Sequence, residues 1–257
     1  ESAFTSNPKC CPCRASIVAG RNTWEMEEAV NHIVHWPEQF ISYVDVLQEA
    51  GYQVGLTGKG WGPGEWKESG REWNPAGPSY DEHRLERPTS QMHSLDYARN
   101  FIEAFLPTVP EDAPFCFWLG TYEPHRPYVE GSGLRAGKDP SLVEVPAFYP
   151  DEPVVRSDYL DYALEVEHFD AHVGRCLAHL EAIGELDNTI VVMTSDHGKP
   201  SPRIKSHIYE QGYHLPLAIR WGAGAPGGRR VEDFINVRDF APTFLELAGL
   251  DVPDEVQ

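Results

Sequence analysis

Residues 9–21, KCCPCRASIVAGR, place three cysteines within four positions and follow them with a stretch of helical character. Thiols packed this closely suit a metal knuckle, a redox pair, a disulfide framework or an anion site. Zinc held by Cys10 and Cys13 would need a second ligand pair of the CxxC or HxxxH kind, and none is expected to complete it. A thioredoxin-like pair would follow a strand, and none is visible before residue 10. The five cysteines (10, 11, 13, 116 and 176) are too few and too unevenly placed for a disulfide scaffold. The remaining reading fits best. Pro12 suits the first turn of a helix, where its missing N–H costs nothing. Cys10 then lies at the helix N-terminus, with Arg14 one turn on, at i+4 on the same face. Unpaired backbone N–H groups, a positive helix end and a guanidinium are thereby offered to one anion.

Other polar groups recur in a common setting. Lys59 follows the apolar segment 53–57, His125 sits in GTYEPHRPY after FCFWL, and Asp196 and His197 sit in TSDHG after TIVVM. Lys205 lies a short loop further on. Singly, each has a plain structural role: an exposed lysine, a histidine bracing a loop between prolines, a helix cap. Together they stand at the carboxyl ends of strands, where an open α/β sheet binds its ligands.

The positioning elements alternate. Helical spacing is predicted in EQFISYVDVLQEAGY, LDYARNFIEAFL, the long segment 157–184 and RDFAPTFLELAG. In the long segment Tyr159, Tyr162, Val166, Phe169, Val173, Cys176 and Leu180 form the expected apolar stripe. Strands are predicted at about 53–57, 115–119, 189–193 and 215–220, in one sheet, with FCFWLG buried on both faces. This pattern is α/β, with a largely parallel sheet covered by helices. Residues 60–94 and 126–157 are long Gly-, Pro- and charge-rich connections, of the kind that carries function. Trp61, Trp66 and Trp73 in the first would either stack on a sugar ring or pin the loop to the body.

Composition sets outer bounds. The 257 residues suffice for one large domain, and 41% hydrophobic content argues for a packed core. A net charge of -19 argues against a nucleic-acid partner and requires any anion site to be made locally. No apolar run reaches the length of a membrane span, and no signal peptide is visible. The chain opens on ESAFTSNP, without an initiator methionine, as though its beginning were missing.

CCPCRASIVAGR resembles the signature of the type I sulfatases, Cys-x-Pro-Ser/Ala-Arg followed by an apolar stretch and Gly-Arg. Cys10, Pro12, Arg14, Gly20 and Arg21 match it. GYQVGLTGKG, PHRPY, NTIVVMTSDHG, Lys205, YEQG, LPLAIRW and RDFAPTFLELAG resemble the family in the same order, with the nearest likeness to sulfamidase (heparan N-sulfatase) members. The resemblance implies a fold like that of alkaline phosphatase: a mixed, largely parallel sheet flanked by helices, incomplete at both ends. Residues 1–257 would be one catalytic domain lacking the first strand, with its Asp-Asp metal ligands, and most of the C-terminal subdomain.

The implied activity is hydrolysis of a sulfate ester or sulfamate, on a sulfated small molecule or glycan. Cys10 would be the precursor of formylglycine, made by a formylglycine-generating enzyme, whose hydrate is the nucleophile. Arg14 would hold that hydrate and the sulfate; Lys59, His125 and Lys205 would contact sulfate or the leaving group. Calcium would bind Asp196, His197 and the modified Cys10. The implied location is periplasmic, secreted or lysosome-like. Two departures stand out: Cys13 replaces the usual Ser or Ala, and Trp61 replaces a histidine. A formylglycine-dependent phosphonate or phosphodiester hydrolase, or a non-catalytic sulfate-binding member, is the alternative expectation.

Overall fold

The computed structural model describes residues 2–256. In chain order its strands are β1 (Ser2–Phe4), β2 (Gln53–Gly58), β3 (Phe115–Gly120), β4 (Ile190–Thr194), β5 (His214–Leu215), β6 (Leu217–Trp221) and β7 (Phe234–Asn236). The helices are α1 (Cys10–Ala19), α2 (Tyr43–Glu49), α3 (Tyr97–Arg99), α4 (Ser132–Arg135), α5 (Pro153–Ala182), α6 (Glu210–Tyr213) and α7 (Phe240–Leu247).

Helix α1 is the hub. It starts at Cys10 with Pro12 in its first turn, as Pro12 requires. It stops where Gly20 takes a left-handed conformation (φ 69°) and returns its N–H to Ser16 O. Every residue of α1 except Arg14 is buried, so the helix is embedded on all sides. Cys11 packs with Val18, Trp36, Val44 and Leu56 in the largest core cluster. Cys13 packs with Ile17, Leu215 and Val237 in another. All five cysteines are free thiols.

The strands predicted near 53–57, 115–119 and 189–193 lie close to where they were expected, and the one at 215–220 is split into β5 and β6. Strands β1 and β7 were not expected, nor do the strands form one hydrogen-bonded sheet. Among the described residues they form three ladders: β2 parallel to β3, β4 antiparallel to β6, and β1 between antiparallel β5 and parallel β7. Phe115–Leu119 are half-buried rather than covered on both faces, and β3 pairs along one edge only.

Three helices also depart from expectation. Ser42 caps α2 by accepting from Asp45 N–H, so that helix begins after Phe40. Helix α3 is a single turn capped by Asp96 and widens into π-type turns over Asn100–Phe105. Helix α5 buries Leu160, Asp161, Glu165, His172, Cys176 and Leu180. Of the predicted apolar stripe only Cys176 and Leu180 are on that face, and Tyr159 and Tyr162 instead flank the Lys199 ammonium at 4.1 and 5.6 Å.

Trp61 is 2% exposed and packs edge-on against Trp36, ring centroids 5.2 Å apart. It pins the 60–94 loop. Trp66 and Trp73 are half-buried and line a cleft.

The ends of β2 and β3 approach each other closely. Gly58 has φ 74°, and a Cβ on Gly120 would lie 2.0 Å from Lys59 O. Lys59 N–H donates to Gly120 O across the same gap, at 2.6 Å. Gly120→Ala is therefore expected to destabilise the full-length protein by about 2 kcal/mol, as overpacking does. A urea midpoint equal to that of the parent would contradict this close approach.

Candidate functional site

The site is built around the start of α1. Cys10 is 1% exposed, and its Sγ lies 3.2 Å from His197 Nε2. Burial alone would raise the thiol pKa. Contacts with His125 and His197, with the charge of Lys59, overcome that and bring it to about 4. Its neighbours behave in the opposite way. Burial pushes Cys11 up to about 12 and Cys13 higher still.

Arg14 ties three segments together. Its Nε donates to Asp196 Oδ2 at 2.7 Å, and its Nη1 donates to Lys59 O at 2.6 Å and Gly60 O at 3.1 Å. Trp118 Nε1 donates to the same Lys59 carbonyl at 3.0 Å. Burial opposes ionisation of Asp196, yet the charges of Arg14, His197 and Lys59 hold its carboxyl well below the usual range. Lys59 itself is lowered, chiefly by burial and then by the nearby Arg14.

The two histidines are oriented through the backbone. His197 Nδ1 donates to Gly198 O at 2.7 Å, which leaves Nε2 facing Cys10 and 3.4 Å from Asp196 Oδ1. His125 Nδ1 donates to Arg126 O at 2.6 Å, and its Nε2 accepts from Lys205 Nζ at 2.9 Å. A backbone carbonyl on one ring nitrogen fixes which nitrogen serves the site.

Cys10, Lys59, His125 and Lys205 line one cleft of about 1540 Å³, and Arg14, Asp196 and His197 adjoin Cys10. All seven residues singled out from the sequence are thus brought together. Ligand atoms of Cys10, Asp196 and His197 lie within 4.8 Å of one another. A carboxylate oxygen, an imidazole nitrogen and the side chain of residue 10 are donors that one wall of a divalent-cation site would need. Calcium takes six to eight oxygens, and this group contains a single carboxylate, so these three residues alone would not complete a calcium cage.

Some residues escaped the sequence reading. His32 lines the cleft, and its Nε2 is buried without a hydrogen-bond partner. Asp158 on α5 accepts from Arg126 Nη2 at 2.6 Å and Lys199 Nζ at 2.5 Å. It thereby clamps the loop of His125 to the loop that leads to Lys205. Neither has a local signal: His32 lies in an unpatterned stretch, and Asp158 stands off the predicted apolar stripe of its helix. His168 and His172 do stand in HxxxH spacing, contrary to expectation. They face each other on α5, Nε2 to Nε2 at 3.3 Å, while His172 Nδ1 accepts from Ala98 N–H. Among the described residues, the one cluster of candidate metal ligands is Cys10, Asp196 and His197, and it contains neither of these histidines nor Cys13.

The family model for sulfatases matches residues 1–250. The chain belongs to the sulfatase family. It is similar to human N-sulphoglucosamine sulphohydrolase, 27% identical over 98% of this chain and 54% of that protein. A second relative is N-acetylglucosamine-6-O-sulfatase of Bacteroides thetaiotaomicron, 42% identical over 38% of this chain and 18% of that protein. Among solved structures, one described as bound to its substrate D-glucosamine-2-N,6-O-disulfate superposes with a TM-score of 0.77 at 21% identity. It covers 100% of this chain and 70% of its own. That likeness shows the sulfatase fold, mixed α/β like alkaline phosphatase. The chain spans about half the length of the human sulfatase it matches. Sulfatases in general use formylglycine and a divalent metal, and among the described residues no helix is long and apolar enough to cross a membrane.

The Arg14 contacts are directional and planar, which an ammonium cannot reproduce. In the full-length sulfatase Arg14→Lys is expected to lower kcat/KM at least about a hundredfold, the scale of losing one preorganised donor. Activity within a few-fold of the parent would show that the guanidinium geometry is dispensable.

Proposed function

We propose that this chain is the catalytic part of a hydrolase that cleaves the sulfate ester or sulfamate of a sulfated sugar, with sulfated glucosamine as the first candidate. The observation that carries the reading is the arrangement at Cys10: a signature cysteine at a helix N-terminus, 3.2 Å from His197, beside the Arg14–Asp196 pair and two lysines on one cleft. The sugar is suggested by two relatives whose names specify glucosamine sulfates.

Conversion of Cys10 to formylglycine would supply a hydroxyl nucleophile that cysteine lacks. Asp196 and His197 would hold a divalent cation, calcium in this reading, which supplies positive charge against sulfate. The chain's own groups do the rest. Lys59 and Lys205 bind sulfate oxygens, supplementing the positive end of α1. Arg14 holds residue 10 and Asp196 in register. His125 is oriented by Arg126 O on Nδ1; once protonated at Nε2, with Lys205 Nζ turned to sulfate, it gives that proton to the departing oxygen or nitrogen. Cys11 and Cys13 face the cores and take no part. The formylglycine-generating enzyme would be a partner before catalysis, and a periplasmic, secreted or lysosomal setting suits the role.

In the full-length protein, produced with a formylglycine-generating system and assayed on N-sulfoglucosamine, Cys10→Ala should abolish turnover. Cys11→Ser and Cys13→Ser should leave most of it. Full activity in Cys10→Ala, or its loss in Cys13→Ser alone, would overturn the assignment. Chelation by EGTA is expected to remove activity and added calcium to restore it. Turnover that survives chelation would exclude the metal role given to Asp196 and His197.

A further inference from the structure

Three carboxyl groups cluster where α5 meets the 121–133 segment, and two of them are fully occupied. Glu123 accepts from His93 N–H at 2.6 Å and from the Tyr97 hydroxyl at 2.9 Å. Asp161 accepts from Gly131 N–H and Gly133 N–H at 2.9 and 2.8 Å, and from the Ser132 hydroxyl at 3.2 Å. The nearby Arg126 is committed to Pro200 O and Asp158. Glu165 is different. It is 3% exposed and lines the same cleft as Cys10, yet it makes no hydrogen bond or ion pair among the described residues.

The Glu165 oxygens are not among the fully enclosed unsatisfied polar atoms, so they keep access to the cleft; a carboxyl held there with no protein partner is costly where a leucine could stand. The cleft that Glu165 lines is where a partner would reach it. Burial first, and then the charge of Glu123, push the Glu165 pKa up to about 8. The group is therefore largely protonated at neutral pH and able both to donate and to accept. A sugar hydroxyl has the same dual character. A second sulfate would be served less well, since a carboxyl offers one donor at most and repels anions when ionised.

Resting on the sulfated-sugar reading above, we infer that Glu165 is a substrate-binding residue that hydrogen-bonds a sugar hydroxyl and so selects glycan over simple sulfate esters. The test uses the full-length enzyme carrying modified Cys10, with N-sulfoglucosamine and the hydroxyl-free 4-nitrophenyl sulfate as substrates. Glu165→Leu should raise KM for N-sulfoglucosamine roughly tenfold, the loss of one hydrogen bond to a buried group. Its kcat/KM on the aryl sulfate and its thermal midpoint should stay at or above the parent values. Glu165→Gln, which also donates and accepts, should recover most of the sugar KM. Equal losses on both substrates would make Glu165 a structural residue and overturn the inference. Unchanged kinetics on both would also overturn it, while leaving the sulfatase reading intact. A parent enzyme that turns over only the aryl sulfate, or neither substrate, would instead remove the sugar reading and this inference with it.

Discussion

Everything at this site depends on one guanidinium. Arg14 reaches from α1 to the carbonyls after β2 and to Asp196 after β4. Those strands belong to ladders that share no hydrogen bonds among the described residues. Nothing in strand pairing sets the distance between Lys59 and Asp196; Arg14 does. A buried ion pair contributes little net stability once its desolvation is counted, so its value here is positional. The absence of side chains at Gly58 and Gly120 is part of the same constraint, because it lets the Lys59 carbonyl sit where Nη1 finds it.

Around that pair the local field opposes the global one. The chain carries a net charge of -19, yet Lys9, Lys59 and Lys205 line the cleft with the N-terminus of α1. An anion is therefore captured by short-range geometry rather than by steering from a distance. The three neighbouring cysteines illustrate how sharply helix geometry sorts identical groups. Cys10 looks into the cleft, while Cys11 and Cys13 are driven into separate cores where their thiols stay protonated.

Much of this was legible in the sequence, for definite reasons. Pro12 and Gly20 bracket α1, and polar motifs directly after apolar runs mark the strand ends that carry Lys59, His125 and Asp196. Local patterns do not encode which distant strands pair, so the three ladders were read as one sheet. The face of α5 was misread because burial was assumed to follow apolarity. Asp161, Glu165 and His172 are buried for hydrogen bonding or for the cleft, and in a single sequence they resemble a solvated face. Of the two roles open to Trp61, a platform for sugar or a pin for the loop, its packing on Trp36 decides for the pin.

The central claim is that residue 10, and neither neighbouring thiol, is the reacting position. Peptide mass spectrometry on residues 9–14 of the full-length protein, purified in its turnover-active form, tests this most directly. The account predicts an aldehyde at residue 10 and free thiols at 11 and 13. An active preparation in which Cys10 is wholly unmodified, or in which the aldehyde lies at Cys13, would contradict it.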